Sequence, residues 1–85
     1  MTTFTLGDVR RIMRQCAGES EVADLDGEIH DILFEDLGYD SLAVLEMAAR
    51  VQQEYGVPMP DEAVDEMKTP GEAVEYINKR IATAV

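Results

Sequence analysis

Few side chains in this chain of 85 residues could do chemistry, and they are not arranged for catalysis. It holds one histidine, His30, and one cysteine, Cys16. No serine can be matched with a base by spacing, and a hydroxyl needs a base or another activator to become a nucleophile. One Cys and one His are too few for a zinc site. The acidic stretch around Gly27 and Gly38 invites a test for a calcium loop, which needs ligating side chains at positions 1, 3 and 5, Gly at 6 and Glu at 12. Setting Gly27 at position 6 places Val22 first; starting at Asp36 places Gly38 third, Ser41 sixth and Met47 twelfth. Neither frame works. What remains is Ser41, at the junction between a Gly-containing loop and the start of an apolar-periodic segment. Free amide donors and the helix dipole favour an anion there by about 0.3–1 kcal/mol. Either a phosphate ester or plain helix capping by Asp40 or Ser41 is compatible with that position.

The elements that must hold Ser41 follow from periodicity. From Thr5 to Cys16, Leu6, Val9, Ile12, Met13 and Cys16 recur at helical spacing, with Arg10, Arg11 and Arg14 largely on the other side. Thr5 and Asp8 have the spacing of a capping box, and Gly18 is a left-handed stop. The connection from Gly18 to Asp40 carries Val22, Leu25, Ile29, Ile32, Leu33, Phe34 and Leu37, which predicts an ordered loop pinned across the bundle, with a helical turn at Phe34–Leu37. Ser41 to Tyr55 is the clearest helix. Leu42, Leu45, Ala48, Ala49, Gln52 and Tyr55 form one set of neighbours and Val44, Met47 and Val51 another, so it either packs on two neighbours or shows one side to a partner. Gly56, Pro58 and Pro60 end it. Asp61 to Met67 predicts a short helix facing inward through Ala63, Val64 and Met67. Thr69, Pro70 and Glu72 supply cap, first position and capping box of a last helix, whose stripe is Val74, Ile77 and Ile81. No strand pattern competes, and an all-α bundle with a long first loop follows.

Composition narrows the function. The net charge is −11, and none of the seven basic residues lies between Gln15 and Ala49, a stretch with ten Asp and Glu. Such a surface repels nucleic acid and anionic membranes and attracts basic partners, besides aiding solubility. No apolar run approaches the roughly 20 residues of a membrane helix. Met1–Thr5 lacks the regions of a secretion signal, and a single Cys forms no internal disulfide, so a cytoplasmic location is expected. One domain over residues 1–85 is expected, with a radius of gyration of about 12 Å.

The run Asp36-Leu37-Gly38-Tyr39-Asp40-Ser41-Leu42 resembles the attachment motif of acyl carrier proteins, where the serine of a Gly-x-Asp-Ser-Leu run receives 4′-phosphopantetheine. Helix order, the long first loop, Tyr55-Gly56-Val57-Pro58-Met59-Pro60-Asp61-Glu62 and the Thr69-Pro70-Gly71-Glu72 start resemble that family too, over essentially the whole chain. Phe34 to Ala43 and Gln15 to Glu19 are most similar to free-standing carriers of type II aromatic polyketide synthases. Ala49, Gln52, Gln53 and Arg50 depart from the more acidic second helix of fatty-acid carriers, and Asp40 stands where peptidyl carriers more often have His.

The resemblance implies a four-helix bundle of the acyl carrier type and a non-catalytic carrier whose arm, at Ser41, holds malonyl and growing polyketide chains as thioesters. It implies a phosphopantetheinyl transferase that uses coenzyme A, and as further partners a ketosynthase/chain-length factor, a malonyl transferase, a ketoreductase and cyclases. The carrier itself is expected to be a monomer. Asp40, Leu42 and Glu46 are the expected recognition residues, though Glu46 equally suits a helix pair with Arg50. Leu45, Val64 and Ile77 are expected either to line an acyl-chain cleft or to be plain core. Asn78 either meets a polyketone or faces solvent. A fatty-acid carrier and an unmodified acidic interaction module are the alternatives.

Overall fold

In the computed structural model, which describes residues 3–18 and 27–84, the first helix begins where two side chains and two amides satisfy each other. The Asp8 N–H donates to Thr5 Oγ1 at 3.2 Å, and the Thr5 N–H donates to Asp8 Oδ2 at 2.9 Å. This capping box opens α1, Leu6–Ala17. Val9, Ile12 and Met13 are buried, and Leu6 and Cys16 pack against the core. Gly18 ends α1 with φ 80°, but its ψ of −173° is extended rather than left-handed helical. A Cβ would be strained there.

Val22 and Leu25, expected as loop anchors, lie outside the described residues. From Gly27 onward the loop is pinned as expected. Arg10 Nη2 donates to the Gly27 carbonyl at 3.1 Å, Ile29 is buried, and the Gly71 N–H donates to the His30 carbonyl at 2.9 Å. The helical turn at Phe34–Leu37 is a 3-10 turn with Phe34 and Leu37 buried, while Leu33 is 37% exposed and anchors nothing.

Helix α2 spans Ser41–Tyr55 and α3 spans Ala63–Glu66. Gly56 closes α2 in the left-handed conformation, φ 66° and ψ 28°, donating to the Gln52 carbonyl. Of the two apolar sides of α2, that of Val44, Met47 and Val51 enters the core together with Ala43 and Ala48. On the other, Leu42 is 66% and Leu45 36% exposed. The second set is thus split: Ala48 is buried and Tyr55 packs against the core, while Leu42 and Leu45 at the start of α2 are exposed.

Helix α4, Pro70–Ala84, starts at Thr69, whose Oγ1 accepts from the Glu72 N–H at 3.1 Å. The reciprocal arm of the expected box differs: Glu72 Oε1 accepts from the Lys68 N–H at 3.1 Å, one residue upstream of the cap. α1 packs most extensively on α2 and also on α4, while α3 bridges α2 and α4. Phe4 meets Tyr55 edge to face, centroids 5.5 Å apart at 88°. Burial, reinforced by the Asp8 and Glu54 carboxylates, raises the Tyr55 phenol above its ordinary pKa. The radius of gyration, 11.7 Å, matches the expected value.

Ile77, fully buried on α4, joins this core. Ile77→Ala should cost about 2–5 kcal/mol, against a total of about 5–15 kcal/mol for a small domain. Urea unfolding should show a lowered midpoint with little change in slope.

Candidate functional site

Ser41 is the first residue of α2, and the sequence fixes it there by a cap on one side and a buried aromatic on the other. Asp40 is extended, φ −89° and ψ −178°, and its Oδ1 accepts from the Ala43 N–H at 3.0 Å. Asp40 is therefore the cap, which leaves the Ser41 hydroxyl exposed and without a hydrogen bond among the described residues. Tyr39 is 5% exposed; its N–H donates to the Phe34 carbonyl at 3.0 Å and its hydroxyl to the Gly18 carbonyl at 2.8 Å. Tyr39 and Val44 hold the N′ and N4 positions of a hydrophobic staple, a local signal of Tyr39's burial. The bond to Gly18 spans 21 residues and has no such signal.

A cavity of about 640 Å³ opens beside Ser41. Phe34, Val44, Val64 and Met67 give it apolar walls; Glu35, Asp40, Asp65 and Lys68 line it as well. It lies between the 3-10 turn, the start of α2 and the α3 segment, and a hydrogen bond from the Phe34 N–H to the Lys68 carbonyl, 2.9 Å, ties two of its walls together. The first-turn amides of Ser41 and Leu42 have no acceptor within the helix, so the helix start presents positive potential toward the hydroxyl.

Of the expected cleft residues, Val64 lines this cavity. Leu45 and Ile77 are not among its lining residues: Leu45 is partly in solvent and Ile77 wholly in the core. Asn78 neither faces solvent nor lines the cavity. Its Oδ1 accepts from the Phe4 N–H at 2.8 Å and its Nδ2 donates to the Phe4 carbonyl at 2.9 Å, which fastens the segment before α1 onto α4. Glu46 is exposed and forms no ion pair with Arg50 among the described residues; its carbonyl accepts weakly from Cys16 Sγ at 3.8 Å. Leu42, Glu46 and Leu45 thus share the exposed first turns of α2 beside Ser41. His30 lies against Gly71, where an added Cβ would come within 2.4 Å of its ring, and pairs with Asp31; it is not among the cavity-lining residues.

An exposed hydroxyl with no hydrogen bond among the described residues, at a helix start beside an open cavity, suits a covalent tether. The phosphopantetheine attachment-site family matches residues 10–77. The chain belongs to that family, as an acyl carrier protein of the type II polyketide synthase group. It is 46% identical to the actinorhodin polyketide synthase acyl carrier protein of Streptomyces coelicolor, over 98% of this chain and 96% of that one. It is 43% identical to the oxytetracycline polyketide synthase acyl carrier protein of Streptomyces rimosus, over 99% and 88%. The solution structure of the 3-oxo-butyl form of the actinorhodin carrier superposes with a TM-score of 0.86 at 44% identity, covering 99% of this carrier and 98% of that chain. The prosthetic group is a covalently attached phosphopantetheine. The exposed hydroxyl, the helix start and the adjoining cavity fit such a group. Among the described residues, no helix is long and apolar enough to cross a membrane.

Asn78→Ala should strip two hydrogen bonds from the partly buried Phe4 backbone and leave both its polar groups unmet, at about 1–3 kcal/mol. Urea unfolding gives the loss, and amide exchange near Phe4 should speed up more than exchange within α2.

Proposed function

We propose that Ser41 is the residue that carries the 4′-phosphopantetheine arm, and that the arm's thiol holds malonyl and growing polyketide chains as thioesters. The observation that carries this reading is the Ser41 hydroxyl itself, exposed and unengaged because Asp40 takes the cap. The carrier is a substrate for its partners rather than a catalyst. A phosphopantetheinyl transferase brings the activating base and takes the arm from coenzyme A. Bound there, the arm supplies a thioester-forming thiol on a long flexible leash. This chain's residues present the hydroxyl, cap the helix and offer an apolar recess walled by Phe34, Val44, Val64 and Met67.

Asp40, Leu42 and Glu46 form the recognition surface in this reading. Leu42 supplies an apolar contact that the fold leaves uncovered, and the carboxylates attract basic patches on the transferase, ketosynthase/chain-length factor, malonyl transferase, ketoreductase and cyclases. Contacts of this kind are salt-sensitive, fast to form and fast to break. Val64 belongs to the chain-sheltering cleft, whereas Leu45 suits the recognition surface better. A cytoplasmic, monomeric carrier completes the reading.

Incubation with a broad-specificity transferase and coenzyme A, followed by intact-mass measurement, tests the attachment. Wild type should gain one arm and Ser41→Ala none; no gain in wild type, or a gain that survives Ser41→Ala, refutes the assignment. Leu42→Ala tests recognition. Binding to partners should weaken by about 1–2 kcal/mol, roughly 5- to 30-fold, whereas stability should stay within about 0.5 kcal/mol because the side chain is largely exposed. Transferase kcat/KM alongside thermal unfolding separates the two effects.

A further inference from the structure

The cavity beside Ser41 has a rim of unequal charge. Glu35, Asp40 and Asp65 line it, and Lys68 is the single cation among its lining residues. Lys68 is exposed, yet its backbone is held from both sides: its N–H donates to Glu72 Oε1 at 3.1 Å and its carbonyl accepts from the Phe34 N–H at 2.9 Å. Among the described residues its ammonium forms no ion pair with any of the three carboxylates. One of them, Asp40, is already engaged by the Ala43 N–H. The fold thus fixes the backbone of a lysine in the cavity lining and leaves its charge available.

We infer, resting on Ser41 as the attachment residue, that Lys68 is the counter-ion of the arm's phosphodiester and turns the arm across the cavity mouth rather than outward along α2. A phosphodiester on Ser41 is a permanent anion at a fixed point. It adds charge to a rim that already carries three carboxylates, and like charges at short range repel it outward. A lysine ammonium is a compact point charge on a flexible stem, suited to a phosphate approached from one side. The terminal carboxylate of a malonyl thioester is the other anion that could reach Lys68. It sits at the far end of a flexible arm and only in one loaded form, whereas the phosphodiester is present in every loaded form, on a residue that lines the same cavity as the lysine. Lys68 is in this sense a positioning residue.

The chain has only two lysines, Lys68 and Lys79, so selective lysine labelling gives two side-chain signals with Lys79 as the internal reference. Mass spectrometry first establishes that Ser41 is loaded. On loading, the Lys68 ε-methylene signal should shift while that of Lys79 stays. The shift should shrink from about 0.05 M to about 1 M salt as screening shortens. Lys68→Gln, which keeps length without charge, should move the phosphorus resonance of the loaded protein. An exposed pair of this kind biases the arm toward the cavity mouth by roughly 1.4- to 5-fold. Absence of a mass gain removes the attachment reading and the pairing with it. A loaded protein whose Lys68 signal matches the unloaded one, or whose phosphorus resonance is unmoved in Lys68→Gln, overturns the pairing alone. So does a Lys68 shift that appears only with malonyl on the arm, which would assign the lysine to the terminal carboxylate.

Discussion

The hydrogen bond from the Phe34 N–H to the Lys68 carbonyl fixes the register between two segments whose buried side chains, Phe34 and Met67, share the hydrophobic core. One segment leads into α2; the other joins α3 to α4. A loop of polar backbone can cross a small domain only if its amides find partners. Here the partners are the Arg10 side chain on α1, which meets the Gly27 carbonyl, and the backbone at and before the start of α4: Gly71 meets His30 and Lys68 meets Phe34. With those bonds made, Phe34 and Met67 stand as opposing walls and the space between them stays open as a cavity. These bonds and the buried Ile29, Phe34 and Leu37 together set the path of the loop that brings the cavity beside Ser41.

Presentation of Ser41 divides between its two predecessors. Tyr39 fixes position: its ring is buried, and its hydroxyl reaches the carbonyl of Gly18 just beyond α1, so the approach to α2 is registered against α1. Asp40 fixes chemistry. By taking the Ala43 N–H it relieves Ser41 of the capping task and leaves that hydroxyl in solvent. Had Ser41 been the cap, its oxygen would have been engaged and half-turned into the helix. The order Tyr-Asp-Ser therefore separates anchoring, capping and display over three consecutive residues.

The parts legible in the sequence are those set by neighbours along the chain. The capping box at Thr5, the span Ser41–Tyr55, the stop at Gly56 and the cap at Thr69 all rest on residues a few positions apart, and each appears where periodicity and capping put it. The 3-10 turn at Phe34 was visible for the same reason. Asn78 was not legible, because its partner Phe4 lies 74 residues away and an Asn beside an apolar stripe looks alike whether it meets solvent, ligand or backbone. Glu72 reached Lys68 instead of Thr69 because a flexible carboxylate has both amides within range and local pattern does not choose between them. Leu45 was ambiguous because periodicity marks an apolar side of α2 without saying whether anything covers it.

The exposed leucines at the start of α2 explain how a domain this small can serve in a relay. Among the residues described, the sole histidine pairs with Asp31 and lies against Gly71, away from the cavity lining. Two leucines in solvent cost stability that burial would have given, about 1.5–3 kcal/mol for a fully buried side chain. An acidic surface adds self-repulsion in the compact state. Both are unfavourable for folding alone and favourable for brief contacts with basic, partly apolar surfaces. The core of Val9, Ile12, Met47, Val51 and Ile77 on the far side of these elements is what allows α2 to leave them uncovered.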